Sequence, residues 1–254
     1  MIAMLITPDF VFIHMPKTGG TFITEMLRLV YGALAVETGR KHATCEEIPA
    51  AHRGKPIVSV IRSPFERYVS QYHYGWWKTH PQEYCDPALI RTRFPAYPQV
   101  DFEDFVAIAN RYFINVHRGV SNGYESPQLP PDLALGWHSE QFIRFFCRDP
   151  HLAFASITAS DLQRGHLSTY EYPVEFLRTE TLNQDLADHL QHYGVDTKLL
   201  GQVRTHRPVM PEQAHEARAR LHARDYFDRR LGDFVRHKEM FLFNRFPQYR
   251  EEVP

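Results

Sequence analysis

Twice in this chain an uninterrupted apolar run ends in a turn and passes straight into a helix-spaced segment. No other feature of the sequence limits the fold as much. The first run is Phe10–Met15, closed by Pro16, Gly19 and Gly20 and followed by TFITEMLRLVYG. It is too short for a helix and reads as a buried strand. In the segment that follows, Phe22, Met26, Leu29 and Val30 fall at i, i+4, i+7 and i+8. They form one face of a helix that Gly32 can end. The second run is Pro56–Ile61, leading into RSPFERYVSQYHY. There Ser63 can cap, Pro64 suits the first helical position and Glu66 completes a capping box. Strands that are apolar on both faces belong to a parallel sheet covered by helices. The expected fold is therefore α/β, a three-layer sandwich around a central parallel sheet, with a P-loop-like strand–turn–helix near its start.

Residues 76–100 change character. Trp76, Trp77, Tyr84, Phe94 and Tyr97 stand among Pro81, Pro87, Pro95 and Pro98, an irregular aromatic insertion. Trp76, Trp77, Tyr84 and Tyr97 read either as a platform for a sugar ring or as core beneath a long loop. Helical spacing returns over Asp101–Arg111 and His138–Cys147, separated by a Gly-, Ser-, Asn- and Pro-rich loop at 119–136. Val174–Arg178 is a third strand, with a helix at about 183–193 that Gly194 can end. Past residue 212 the chain is Arg/Glu-rich and helical, and Leu221, Tyr226, Phe227, Leu231 and Phe234 are its expected buried face. No repeat, low-complexity tract or linker interrupts the chain, so residues 1–254 are read as one domain.

Composition narrows the function classes. With 29 Lys+Arg against 30 Asp+Glu the net charge is −1, which argues against a dedicated nucleic-acid binder. Hydrophobic residues at 43% and charged residues at 23% exclude a disordered chain. Cys45, Cys85 and Cys147 are too few and too scattered for a disulfide framework and form no CxxC pair. A reducing compartment and a cytoplasmic location are expected. The apolar N-terminus lacks a basic region and contains Pro8 and Asp9, so it does not read as a signal peptide. No transmembrane segment is expected. The 15 histidines show no spacing that suggests a metal site. Oligomeric state is left open.

The chemistry concentrates in PKTGGT, Pro16 to Thr21, between a strand and a helix. A glycine turn at a helix start presents backbone N–H groups together with the positive end of the helix dipole, which suits a phosphate-like anion. Lys17 adds a mobile charge, and Thr18 and Thr21 add hydroxyls. Lysine precedes the glycines, unlike the common GxxxxGK[ST] nucleotide loop, and no acidic strand end stands out as a metal partner. A lysine-bearing turn with no ligand is the alternative. Arg62 ends the second apolar run, and Ser70 follows eight residues on. A guanidinium outside the carboxyl end of a strand can grip a phosphate bidentately, with the serine as a further donor. An Arg62–Glu66 ion pair beside an exposed Ser70 is the alternative.

Together, FIHMPKTGGTFI (12–23) and VIRSPFERYVSQYHY (60–74) resemble the sulfotransferases that use 3′-phosphoadenosine-5′-phosphosulfate (PAPS). The first looks like that family's 5′-phosphosulfate loop and the second like its 3′-phosphate element. The similarity lies nearest the carbohydrate (glycan) branch and its soluble bacterial relatives. VEFLRTETLNQDL (174–186) is similar to a further family stretch in which a strand ends in a glutamate before a helix. The resemblance implies a sulfotransferase- and nucleotide-kinase-like fold. It implies PAPS as donor, 3′-phosphoadenosine 5′-phosphate as product, no metal, and a hydroxyl-bearing acceptor, a glycan or glycolipid.

Residue by residue, it implies that Lys17, Thr18, Gly19, Gly20 and Thr21 hold the 5′-phosphosulfate, with Lys17 stabilising charge on the bridging oxygen. Arg62 and Ser70 would bind the 3′-phosphate. Arg204 and Arg207, in RTHR, would belong to a basic loop over the nucleotide, for which a solvated basic loop is the alternative. The acceptor hydroxyl must lose a proton, and the candidate bases in GRKHATCEEI are His42, Glu46 and Glu47. Relatives use a histidine or a glutamate in a comparable position, and His42 beside Lys41 resembles the histidine version. A histidine's ordinary pKa near 6.5 suits that task. Two other activities stay open. One is a P-loop-type kinase using ATP and Mg²⁺, against which the order of lysine and glycines stands. The other is a catalytically silent nucleotide-binding protein of the same fold, against which Lys17 stands.

Overall fold

The computed structural model describes residues 3–114, 128–130, 133, 135–207 and 222–253. Along the chain, strands β1 (Ala3–Ile6) and β2 (Val11–Phe12) precede helix α1 (Gly20–Tyr31) and strands β3 (Val36–Lys41) and β4 (Ile57–Ile61). Helices α2 (Pro64–Tyr74), α3 (Phe102–Ile108) and α4 (Trp137–Phe146) follow. Then come β5 (Val174–Arg178), α5 (Leu182–Gln191), α6 (Thr197–Thr205), α7 (Arg229–Lys238) and α8 (Met240–Arg245). By packing, the chain divides into two compact units, Met1–Arg62 with Tyr172–Arg218, and Ser63–Glu171 with Ala219–Pro254. No helix among the described residues is long and apolar enough to cross a membrane.

The first unit holds a five-stranded sheet in the order β3-β1-β2-β4-β5. β2, β4 and β5 run parallel, whereas β1 is antiparallel to both of its neighbours, so four strands share one direction. The expected parallel sheet is thus only mostly parallel. The reversal follows from the short connection between β1 and β2, which permits only an antiparallel pair. Thr7 closes that turn: its hydroxyl donates to the Phe10 carbonyl at 2.9 Å and accepts the Phe10 N–H at 3.0 Å. Of the run Phe10–Met15 only Val11–Phe12 pairs as a strand, and the ladder then continues as Ile13 N–H donates to the Val58 carbonyl at 2.9 Å.

Every residue of β4 is buried. Phe12, Val58, Val60 and Leu177 from the sheet pack with Phe22 and Met26 of α1 and with Leu186 of α5 in one apolar cluster. Each such side chain contributes about 1.5–3 kcal/mol on leaving water, so this layer rigidly fixes where α1 begins.

The second unit is helical. Residues 76–100 contain the short helices Trp76–Thr79 and Pro87–Arg91 rather than one irregular loop. Trp77 and Tyr97 are buried there, and Trp77 packs 4.9 Å from Phe105 of α3. Tyr84 lies 4.6 Å from Phe113. Trp77 and Tyr97 are core, whereas Tyr84 and Trp76 are half-buried, Trp76 stacked on His80 at 3.6 Å. Helix α2 starts at Pro64 as expected, but Ser63 does not cap it, and Glu66 accepts the Ala223 N–H at 2.8 Å instead of closing a capping box. Phe227 and Leu231 are buried while Phe234 is exposed; Leu221, like most of the 119–136 loop, lies outside the described residues.

The same unit encloses a fully buried carboxylate. Glu239 accepts from the Tyr68 hydroxyl at 2.6 Å, the His138 N–H at 2.9 Å, the Ser139 N–H at 2.8 Å and the Ser139 hydroxyl at 2.7 Å. It caps the start of α4, where Gly136 at the N-cap has no side chain to do so.

Candidate functional site

The carboxyl ends of β2 and β4 lie side by side; the Pro16–Gly19 turn follows the first and Arg62 the second. Beyond β2 the chain turns through Pro16–Gly19 into α1. Gly19, the N-cap, has φ 100°, and a Cβ there would lie 2.8 Å from Leu182 Cδ2, so the position admits glycine for two reasons. No side chain caps α1, and its first turn carries no acidic residue. The leading N–H groups of a helix have no acceptor within it, and here the positive end of the dipole meets no compensating carboxylate in that turn.

The loop is tied down from three sides. The Thr18 hydroxyl, fully buried, donates inward to the Met15 carbonyl at 2.9 Å. Ser59, inside β4, donates to the Ile13 carbonyl at 2.8 Å. Thr179, just past β5, donates to the Thr18 carbonyl at 2.7 Å and lies 3.1 Å from the Ile61 carbonyl. One hydroxyl therefore links the loop to the residue immediately before Arg62. Sequence reasoning missed Thr179; its only signal was its place directly after a strand.

Lys17 is half-buried and holds a left-handed backbone, φ 65°. His42 does the same at φ 61°. Among the described residues, the non-glycine positions with positive φ are Lys17, His42 and Asp149. Such backbone is uncommon outside glycine and clusters at functional sites. His42 is brought to the loop by His14, a second residue the sequence did not single out. Its Nδ1 lies 3.0 Å from the His14 carbonyl, and the two rings meet edge to face at 5.0 Å. The His14 ring is buried against Gly20: a Cβ on that glycine would sit 2.0 Å from His14 Cδ2.

The other candidates are distributed as follows. Glu46 and Glu47 are both exposed, and Glu47 accepts the Thr44 N–H at 2.8 Å and so braces its own short helix. Cys45 between them and Thr44 is buried, and burial with the neighbouring Glu46 charge pushes its thiol pKa up. Arg62 is half-buried at the end of β4. Ser70 is half-buried on α2 and belongs to the second unit. Arg204 contacts Asp188 at 3.2 Å and Gln191 at 3.3 Å. Hydrogen bonds from Gln184 and then Arg204 hold the Asp188 carboxyl below its usual range. Arg207 is exposed. Its neighbour His206 docks on α1, with its ring 6.0 Å from Phe22 and Nε2 3.6 Å from Glu25, which brings the RTHR segment beside that helix.

These elements present backbone donors, an ammonium and a guanidinium at adjacent strand ends, with an imidazole close by. That set can bind a polyanion and take up a proton. No protein-family model matches the chain. No curated protein matches it. No solved structure matches it.

Proposed function

We propose that this chain is a PAPS-dependent sulfotransferase acting on a hydroxyl of a glycan or glycolipid, on a three-layer α/β sandwich of the sulfotransferase and nucleotide-kinase type. The observation that carries this reading is a coincidence of position and conformation. The lysine and the histidine with a proposed chemical role both hold a left-handed backbone; Lys17 lies in the turn that enters α1, and His42 packs on His14, whose ring covers Gly20 at the start of that helix. The residues present fit a phosphosulfate donor, because neither a capping side chain nor a first-turn carboxylate occupies the start of α1 and Arg62 follows the next parallel strand.

Bound PAPS supplies the activated sulfuryl group. The backbone of Lys17–Thr21 holds the 5′ end, with the Thr18 hydroxyl kept for the loop itself. Lys17 neutralises charge that develops there, which is where electrostatic catalysis has its largest effect. Arg62 binds the 3′-phosphate, and Arg204 and Arg207 flank the nucleotide. His42 takes the proton of the acceptor hydroxyl; Glu47 suits this less, since it already accepts from Thr44.

Thermal unfolding tests the donor. 3′-Phosphoadenosine 5′-phosphate at 100 times its Kd should add about 2.7 kcal/mol, and ADP much less. Stabilisation by ATP with Mg²⁺ alone would overturn the reading. Labelled-sulfate transfer then tests the reaction: Lys17→Ala should lower turnover by about 10²–10³ while the nucleotide still binds.

A further inference from the structure

We infer that His14 is a positioning residue, whose main-chain carbonyl selects one tautomer of His42 and whose ring presses His42 to that carbonyl at a fixed spacing from the start of α1; the inference rests on the sulfotransferase reading of the same site. The His14 carbonyl lies 3.0 Å from His42 Nδ1. A carbonyl oxygen only accepts, so Nδ1 carries the hydrogen. Neutral His42 then keeps its lone pair on Nε2. The proton leaving the acceptor passes to that atom: the O–H bond breaks, an N–H bond forms at Nε2, and the charge of the imidazolium is stabilised through Nδ1–H by the same carbonyl. The imidazolium afterwards returns the proton to solvent.

The ring of His14 sets the spacing. One edge meets the His42 ring at 5.0 Å and 67°, and Phe12 stacks on it at 6.2 Å and 22°. The far edge fills the space above Gly20, where even a methyl group would overlap it, at 2.0 Å from Cδ2. One imidazole therefore touches both the proposed base and the first residue of α1. His42 itself sits at φ 61°, a conformation that a histidine keeps only when its surroundings impose it.

The test begins without any substrate. Long-range ¹H–¹⁵N correlation spectra of the imidazole rings report the tautomer of His42 directly. Wild type is expected to show Nδ1–H. The carbonyl is main chain and survives any substitution at position 14, so the variants test the ring: His14→Ala should free the His42 imidazole to leave the carbonyl and show averaged signals from both tautomers, and His14→Phe, which keeps a ring above Gly20, should retain Nδ1–H. In turnover, His14→Ala should lower kcat about 10-fold or more while stabilisation by 3′-phosphoadenosine 5′-phosphate is unchanged, and His14→Phe should recover most of the loss. If His14→Ala does not fold, His14→Leu gives the same readouts. Nε2–H in wild type, or wild-type spectrum and kcat in His14→Ala, overturns the inference. Nδ1–H in a protein that transfers no sulfuryl group removes the function and with it the catalytic role. The spectrum therefore reports on His14 and the transfer assay on the reaction.

Discussion

Thr179 does more for the Pro16–Gly19 loop than its place in the sequence announces. Its hydroxyl donates to the Thr18 carbonyl and lies close to that of Ile61, two chain segments that meet only in the fold. Thr179→Val keeps the shape and removes the donor. Stability should fall by about 1–3 kcal/mol, the range for a buried group left unsatisfied, read from urea unfolding. An unchanged midpoint would show that the hydroxyl ties nothing. Lys17 and Arg62 were legible in the sequence because each combines a charge with a turn or a strand end. Thr179 and His14 were not, because Thr179 donates to backbone carbonyls and His14 offers its own to His42, contacts made only by tertiary packing. The Thr18 hydroxyl shows the opposite case: it suggested a ligand donor, but in the buried loop it bonds to Met15.

At the level of elements, a long apolar run or a well-spaced helix identified itself. β5 and α2 have the bounds expected, and β4 differs by one residue at its start. β1 and β3 did not announce themselves. β1 lies in an N-terminal stretch weighed as a leader, and β3 (VETGRK) is a polar edge strand whose Gly39 sits at φ 74°. Capping was misjudged for the same reason that Thr179 was missed. α4 is capped by Glu239, about a hundred residues away in sequence, which local motifs cannot reveal. Glu239→Ala would leave two buried α4 N–H groups and the Ser139 hydroxyl without their acceptor, while the Tyr68 hydroxyl keeps Asn110 Oδ1 at 3.1 Å. A loss of about 3–5 kcal/mol is expected, with a smaller loss for Glu239→Gln. Denaturant midpoints for the two variants check this, and equal losses would argue against the carboxylate as the cap.

On the scale of the whole chain, each unit is closed by a segment that returns late in the sequence. No composition shift marks those returns, which is why nothing in the sequence suggested two units. The histidine excess also takes on meaning at this scale. His138 is fully buried and bonds Gln71 at 2.7 Å. Burial first, and the nearby Arg67 charge second, hold its pKa well below the ordinary value. The unfolded chain then binds a proton that the folded chain refuses, so stability rises with pH. The contribution is present above the unfolded pKa of about 6.5 and is lost as pH falls below it toward the folded value. Urea midpoints at pH 7.5 and 5.5 should differ by up to about 1.4 kcal/mol per pH unit from this group, and His138→Gln should flatten the slope. An unaltered slope in the variant would assign the dependence to other groups.

On the proposed sulfotransferase reading, the left-handed backbones at Lys17 and His42 set heat resistance against turnover at two positions. An L-residue held there costs about 1–2 kcal/mol, most of which glycine avoids. Lys17→Gly and His42→Gly should therefore raise Tm slightly while sulfuryl transfer collapses, which paired melting and transfer assays would reveal; a lowered Tm in both would refute it. A laboratory selection for thermal survival alone would drift toward those replacements and return a sturdier, inactive protein. Any library built to toughen this molecule should hold positions 17 and 42 constant.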